Sequence, residues 1–293
     1  MKKIISFMFF VVLLLSFQAC YEDFKVDFEY TTSYFARQFP LRTLVEVPGE
    51  DMTFEVGAAL GGKYSNDSNE QVVFAIQDSF LNADNFPQFT RLPDNYYTLE
   101  TNTITIPSGK FFDGVTVTLN EQFLNDPLSH EDTYALPVEI TSATTDSILD
   151  GKHYSVIVVK YINQYQGWYY VKGTDTNNSD NSVVTYSNED LVLNEDELLL
   201  TVDRNTLSTT YVGEPGLSAA ETREMTITVN GDNTVTLSGG NGAISNVSGS
   251  GTYDPNTRGF TFSYTYTDGD GNAHTVVEEL IYRNTEIIFE EWQ

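Results

Sequence analysis

Cysteine is almost missing from this chain: 293 residues contain one, Cys20. A single thiol closes no intrachain disulfide, so an exported form must be held together by hydrophobic burial alone. Basic residues are also scarce, 15 against 42 acidic ones, for a net charge of −27. That balance argues against binding nucleic acid or an anionic membrane face through a basic patch. It argues equally against strongly anionic ligands, and leaves neutral ligands and cations open. Only three histidines occur, His130, His153 and His274. They are far apart, share no ligand spacing such as His-x-x-x-His, and read as surface loop residues. No Gly-x-Ser-x-Gly nucleophile elbow and no phosphate-cradling glycine motif is present. Acids are too numerous for the sequence to nominate a glycosidase pair, which needs one carboxyl raised by burial and a partner at fixed separation.

The one long apolar run lies at the start. Lys2 and Lys3 precede an apolar stretch from Ile4 to Phe17, the length of a secretory signal core and too short for a membrane span. Ala19 then precedes Cys20, which resembles the lipobox of bacterial lipoproteins, in the looser form common in Bacteroidetes. The resemblance implies cleavage after residue 19, acylation of Cys20, and no remaining thiol for catalysis or metal binding. Tyr21-Glu22-Asp23 resembles the acidic export signal that follows the lipid cysteine in Bacteroidetes surface lipoproteins. It implies an outer-membrane, cell-surface position, with residues 20–30 as an acidic tether.

Beyond residue 30 the chain alternates at period two between turn residues, the pattern of antiparallel strands. Thr103-Ile104-Thr105-Ile106 and Val115 to Leu119 are examples. The sharpest hairpin runs from Met225 to Val229, turns at Asn230-Gly231-Asp232-Asn233 and returns through Thr234 to Leu237, with Asn-Gly expected to supply the positive backbone angles. A second joins Gly251–Tyr253 to Phe260–Tyr266. Helix signals are confined to single turns at 78–85 and 120–125. The fold is therefore expected to be all-β, in two domains, 31–163 and 164–293. The break falls at the polar Asn163-Gln164-Tyr165-Gln166, before a new strand opening Gly167-Trp168.

The first half carries Tyr34-Phe35-Ala36-Arg37-Gln38-Phe39-Pro40, then Leu92-Pro93-Asp94-Asn95-Tyr96-Tyr97, Ile104 to Gly109, and Tyr134 to Ile140. In order and spacing these resemble the N-terminal domain of unknown function common in Bacteroidetes glycan-locus lipoproteins, an immunoglobulin-like β-sandwich. The resemblance implies a surface glycan-binding protein or adhesin beside an outer-membrane uptake system, with no catalytic residue to carry over. Gly167-Trp168 and Arg283 resemble the Gly-x-Trp and late Arg of lipocalin-like barrels, where the Arg covers the Trp ring. The second half is accordingly an antiparallel barrel or a second sandwich.

Aromatic residues are plentiful, 18 Tyr and 19 Phe beside two Trp. Flat rings stack on the apolar faces of sugars while polar side chains take the hydroxyls. Period-two facing puts Trp168 and Tyr170 on one side of their strand and Tyr169 on the other. Trp168 is expected in the core and Tyr169 in solvent. Trp292 is a possible platform or a strand-end plug, and one of Tyr96 and Tyr97 should point outward. The metal candidate is Asp268-Gly269-Asp270-Gly271-Asn272 with Glu279, which resembles a calcium loop. Ala273 stands where the helical version needs Gly, and a tight turn accounts for the same residues; no cofactor is required. The expected function is non-catalytic binding of a neutral glycan for a neighbouring import complex. The rival is a structural adhesin acting through protein–protein contacts.

Overall fold

The computed structural model describes residues 30–82, 84–214, 223–287 and 290–292. The first half folds as two facing sheets. One contains β1 (Thr32–Phe35), β3 (Thr53–Gly61), β6 (Tyr97–Leu99), β8 (Phe112–Leu119) and β10 (Ser147–Ile148). The other contains β2 (Pro40–Glu46), β4 (Glu70–Ile76), β7 (Thr103–Ile106), β9 (Tyr134–Ala143) and β11 (Tyr154–Asn163), with the short β5 (Thr90–Arg91) beside β9. Alternating residues on the two inner faces interdigitate, the usual way a sandwich fills its core. Val56, Val72, Ile104, Val117, Leu136 and Val159 are all at 0% exposure there. The expected single turns are present as a 3-10 turn at Asp78–Phe80 and a helix α1 at Glu121–Leu124. Asn120 caps α1 by accepting from the Gln122 and Phe123 amides, which satisfies donors a helix start leaves open.

The second half is a closed antiparallel barrel of eight strands. They are β12 (Gly167–Asn177), β14 (Asp196–Thr201), β15 (Thr206–Thr209), β16 (Arg223–Val229), β17 (Thr234–Gly242), β18 (Ser245–Asp254), β19 (Gly259–Thr267) and β20 (Ala273–Asn284). Pairing of β20 back onto β12 closes the ring, and β13 (Ser182–Tyr186) pairs with β12 along the same edge as β14, farther along the strand. Closure leaves no free edge in the ring itself. Gly167 is required where the barrel shuts, since a Cβ there would lie 2.8 Å from the Asn284 carbonyl oxygen. Both expected hairpins form, β16–β17 and β18–β19. In the first, the left-handed residue is Asn233 (φ 64) rather than Gly231. The four-residue turn puts its strain at the last position, where Asn tolerates it.

Three features join the halves. Asn163 is at 0% exposure; its amide group donates to the Asp203 (2.8 Å) and Thr206 (3.2 Å) carbonyls and accepts from the Tyr165 and Gln166 amides. The expected polar break is thus a hydrogen-bonded hub and not a slack linker. Arg204 in the β14–β15 turn forks onto Glu46 of β2 and reaches Glu121 of α1. The chain's last strand, β21 (Glu290–Glu291), leaves the barrel and pairs with β2 of the sandwich.

Candidate functional site

Strand pairing around the barrel has one weak seam. β14 lies along β12 through Gly167–Tyr170 but meets β15 only at Leu200↔Ser208 and Thr201↔Leu207. Beyond those pairs the two strands part, and the wall opens into a cleft of about 350 Å³. Residues of both facings line it. Trp168, Asp196, Leu198, Ser208 and Glu224 come from the outer surface, and Glu197, Thr209 and Tyr211 from the inner one. Trp168 lies opposite Leu198 in register, so an indole and two leucines (Leu198 and Leu200) form an apolar wall beside hydroxyls and carboxylates. Asp196 is held from outside by Arg283.

Glu197 is the unusual member. It is 2% exposed, and neither carboxyl oxygen has a hydrogen-bond partner among the described residues. Burial pushes its pKa well above the usual carboxylate range, and the nearby Glu278 charge raises it further, opposed weakly by the Thr209 hydroxyl. The enclosure therefore favours the neutral carboxyl, since an unpaired buried charge is far costlier. The Tyr211 hydroxyl is buried and likewise without a partner. Burial raises its pKa, and the Glu195 carboxylate adds to the shift.

A second polar cluster fills the barrel interior, and it is satisfied. Tyr186 and Tyr264 donate to the two oxygens of Glu278 at 2.5 and 3.0 Å. Burial pushes Glu278 up to about 7 against those hydroxyls. Asp175 accepts from the Tyr266 hydroxyl (2.6 Å) and the Glu214 amide (3.1 Å), and lies 2.8 Å from His274 Nδ1. His274 stacks on Tyr266 with ring centroids 4.6 Å apart. Groups already paired in this way plug the barrel. Unpaired groups in an open cleft have capacity left for a ligand, so the seam is the candidate site.

A slightly larger cleft, about 380 Å³, opens in the sandwich beside Arg42, Glu55 and Phe112. Among the described residues it contains no unpartnered buried acid of the Glu197 kind.

The facing expected around Gly167 is reversed. Tyr169 is at 0% exposure inside the barrel, its hydroxyl donating to the Tyr165 carbonyl at 2.6 Å, and Trp168 is the partly exposed residue on the outer surface. Alternation fixes relative facing only; the absolute facing is set by closure of β20 onto β12. Arg283 does not cover Trp168 either. It lies over Tyr170 (5.8 Å), while Arg258 covers Tyr282 at 3.8 Å and donates to the Gln164 carbonyl at the closed end.

Trp292 is a strand-end plug: its ring meets Phe39, Phe86 and Phe89 edge-on at 4.7–4.9 Å, and its Nε1 donates to the Val156 carbonyl. Tyr97 is buried and Tyr96 half-buried, the latter donating to Asp126 at 2.6 Å. These two and Trp292 belong to the sandwich half and do not converge with the seam. Asp268 spends its oxygens on the Asp270 and Asn272 amides, the Asn272 side chain and a 3.3 Å approach to His274. Glu279 faces outward on β20, in register with Thr261, so the loop and its distant Glu do not form one cage. Among the described residues, no group of three or more His, Cys, Asp or Glu is arranged to hold a metal. Cys20 lies outside the described residues. Asp196, Glu197, Ser208, Tyr211 and Glu224 were not legible as site residues, because nothing in the sequence marks where a barrel seam opens.

A family model described as an N-terminal domain matches residues 24–147, and a companion C-terminal model matches 153–281. A solved structure of a Bacteroides ovatus protein of unknown function is similar at 23% identity and TM-score 0.76, covering 90% of this chain and 98% of that one. Fainter likenesses, both at 14% identity, include a Bacteroides ovatus multidomain protein containing DUF1735 (TM-score 0.44, 87% and 95% covered). The other is a Bacteroides thetaiotaomicron protein described as an auxiliary nutrient binding protein (TM-score 0.41, 82% and 90% covered). No protein of curated function matches the chain. Together the two family models span most of the chain as an N-terminal and a C-terminal domain, and the Bacteroides ovatus structure shares its fold.

Proposed function

We propose that this protein is a non-catalytic surface lipoprotein that binds a neutral glycan in the barrel seam and retains it for a neighbouring outer-membrane import complex. One observation carries the site: a partly exposed indole, Trp168, walls a cleft whose remaining surface mixes leucines with hydroxyls and carboxylates. Pyranose rings offer one apolar face and a rim of hydroxyls, and this lining complements both. The leader with its lone Cys20 supports a lipid anchor, with Tyr21-Glu22-Asp23 directing it outward. Tethering keeps bound ligand at high local concentration near a transporter, so modest affinity suffices.

Binding without turnover fits the carboxylates. Glu197 has the raised pKa of a general acid, but its neighbour Asp196 faces the other side of the strand, held by Arg283. A glycosidase needs two carboxyls aimed across one bond. The test is affinity electrophoresis of residues 21–293 through gels containing neutral polysaccharides. Retention is expected on at least one, lost in Trp168→Ala and kept in Trp292→Ala. Retention on none, or release of reducing ends by the wild type, would overturn the reading.

One feature favours the adhesin reading. β13 is an outer edge strand whose Val183 is 57% exposed, available for strand pairing with another chain. Assembly that is abolished by Val183→Pro and indifferent to Trp168→Ala would favour it.

A further inference from the structure

The seam's lining is lopsided in charge. Three carboxyl groups, Asp196, Glu197 and Glu224, contribute to it and no lysine or arginine does. Asp196 is already paired, with Arg283 on the outer face. Glu224 takes a hydrogen bond from Asn241. Glu197, almost wholly enclosed, has no well-formed hydrogen bond among the described residues, and only the Thr209 hydroxyl lies close enough to favour its charged form. Just beside it the buried Tyr211 hydroxyl also lacks a partner. A buried acid left in this state is a group awaiting a donor, and the donor that compensates it best is a cation with several N–H groups. An indole on the same wall adds a second attraction for a cation, through its ring face.

We infer that the ligand taken by the seam is an amino sugar with a free, protonated amine, the ammonium entering the wall to pair with Glu197 while the sugar ring lies on Trp168. This rests on the proposed glycan-binding role for the sugar, though not for the ammonium, and takes the ligand to be a cationic glycan where that role names a neutral one. The chemistry discriminates against two relatives. An N-acetylated sugar presents one amide N–H and no charge, leaving Glu197 undercompensated. A uronic acid places a carboxylate among three carboxyl groups and is repelled.

The pairing has a proton balance. Burial and the charge of Glu278 on β20 both favour the protonated form of Glu197. When a charged ammonium arrives, the Glu197 proton leaves to the buffer and the ammonium keeps its own three. Binding therefore releases a proton, whereas stacking of a neutral sugar on Trp168 does not.

Isothermal titration of residues 21–293 at mildly acidic pH, in two buffers of different ionisation enthalpy, reads both affinity and proton release. The probes are a short glucosamine oligomer, its N-acetylated counterpart and cadaverine as an amine without a sugar. The glucosamine oligomer should bind at least about tenfold tighter than the acetylated one, the scale of a hydrogen bond to a charged group. It should release close to one proton, and Glu197→Gln should bring the two oligomers to the same affinity. Should that variant fail to fold, the proton count on the wild type decides. Equal binding of both oligomers with no proton released overturns this inference and leaves the glycan reading intact. Cadaverine binding with proton release, and neither sugar binding, supports the ammonium pocket and overturns the glycan reading. Binding of none of the three overturns both.

Discussion

The sandwich and the barrel are of similar size and strand content, yet they treat polar groups differently. The buried carboxylates of the sandwich have partners: Glu70 takes bonds from Ser68 and Thr144, and Glu46 faces Arg204. Its centre is aliphatic and aromatic throughout. The barrel instead encloses Asp175, Glu197, Arg223 and Glu278 among its tyrosines. Replacing buried charges with apolar residues is often neutral or stabilising, so their presence is not explained by stability. The sandwich is built to stand, and the barrel gives up stability to keep polar groups inside. That difference is the reason for placing the proposed binding site in the barrel.

The largest effect should come from breaking the sandwich. Phe74 is 1% exposed at its centre; Phe74→Ala is expected to cost about 3–5 kcal/mol by calorimetry. Glycan retention by whatever remains folded should be unchanged. Next is pH, which should separate the halves. Glu278 releases its proton near 4.5 when unfolded and near 7 when folded. Between those values the native state holds the extra proton, so barrel stability is full below the lower value and falls as pH rises through the upper.

The loss amounts to roughly 3 kcal/mol, and Glu197, raised for the same reason, extends it upward. Denaturant midpoints from mildly acidic to mildly basic pH should show the fall, and Glu278→Gln should flatten it. An unfolding transition that strengthens with pH would contradict the assignment. Smaller again, Asn163→Ala should cost about 1–3 kcal/mol by orphaning carbonyls at the junction. It should split one unfolding transition into two.

Much of the architecture was readable before any coordinates. The period-two runs, both hairpins and the single helical turns need only local pattern and turn chemistry, and they appear where expected. What failed depended on distant chain. Trp168 and Tyr169 were assigned opposite facings, correctly, but strand closure from β20 decided which faced inward. Trp292 seals aromatic residues some 200 or more positions earlier in the chain (Phe39, Phe86 and Phe89), and no local signal marks that return. The Asp268 motif followed the pattern of a cation loop while its oxygens were needed by the turn's own amides. Glu197 could not be singled out among 42 acids, since only the parting of β14 from β15 distinguishes it.

Two tryptophans, one at the seam and one sealing the sandwich, permit a direct test of where ligand binds. Trp292→Phe leaves Trp168 as the single indole, and Trp168→Phe leaves Trp292. Titrated with a polysaccharide that retains the wild type, the Trp168-only protein should change its emission along the binding curve while the Trp292-only protein stays flat. A ligand-dependent signal from Trp292, with Trp168 silent at saturation, would contradict the account.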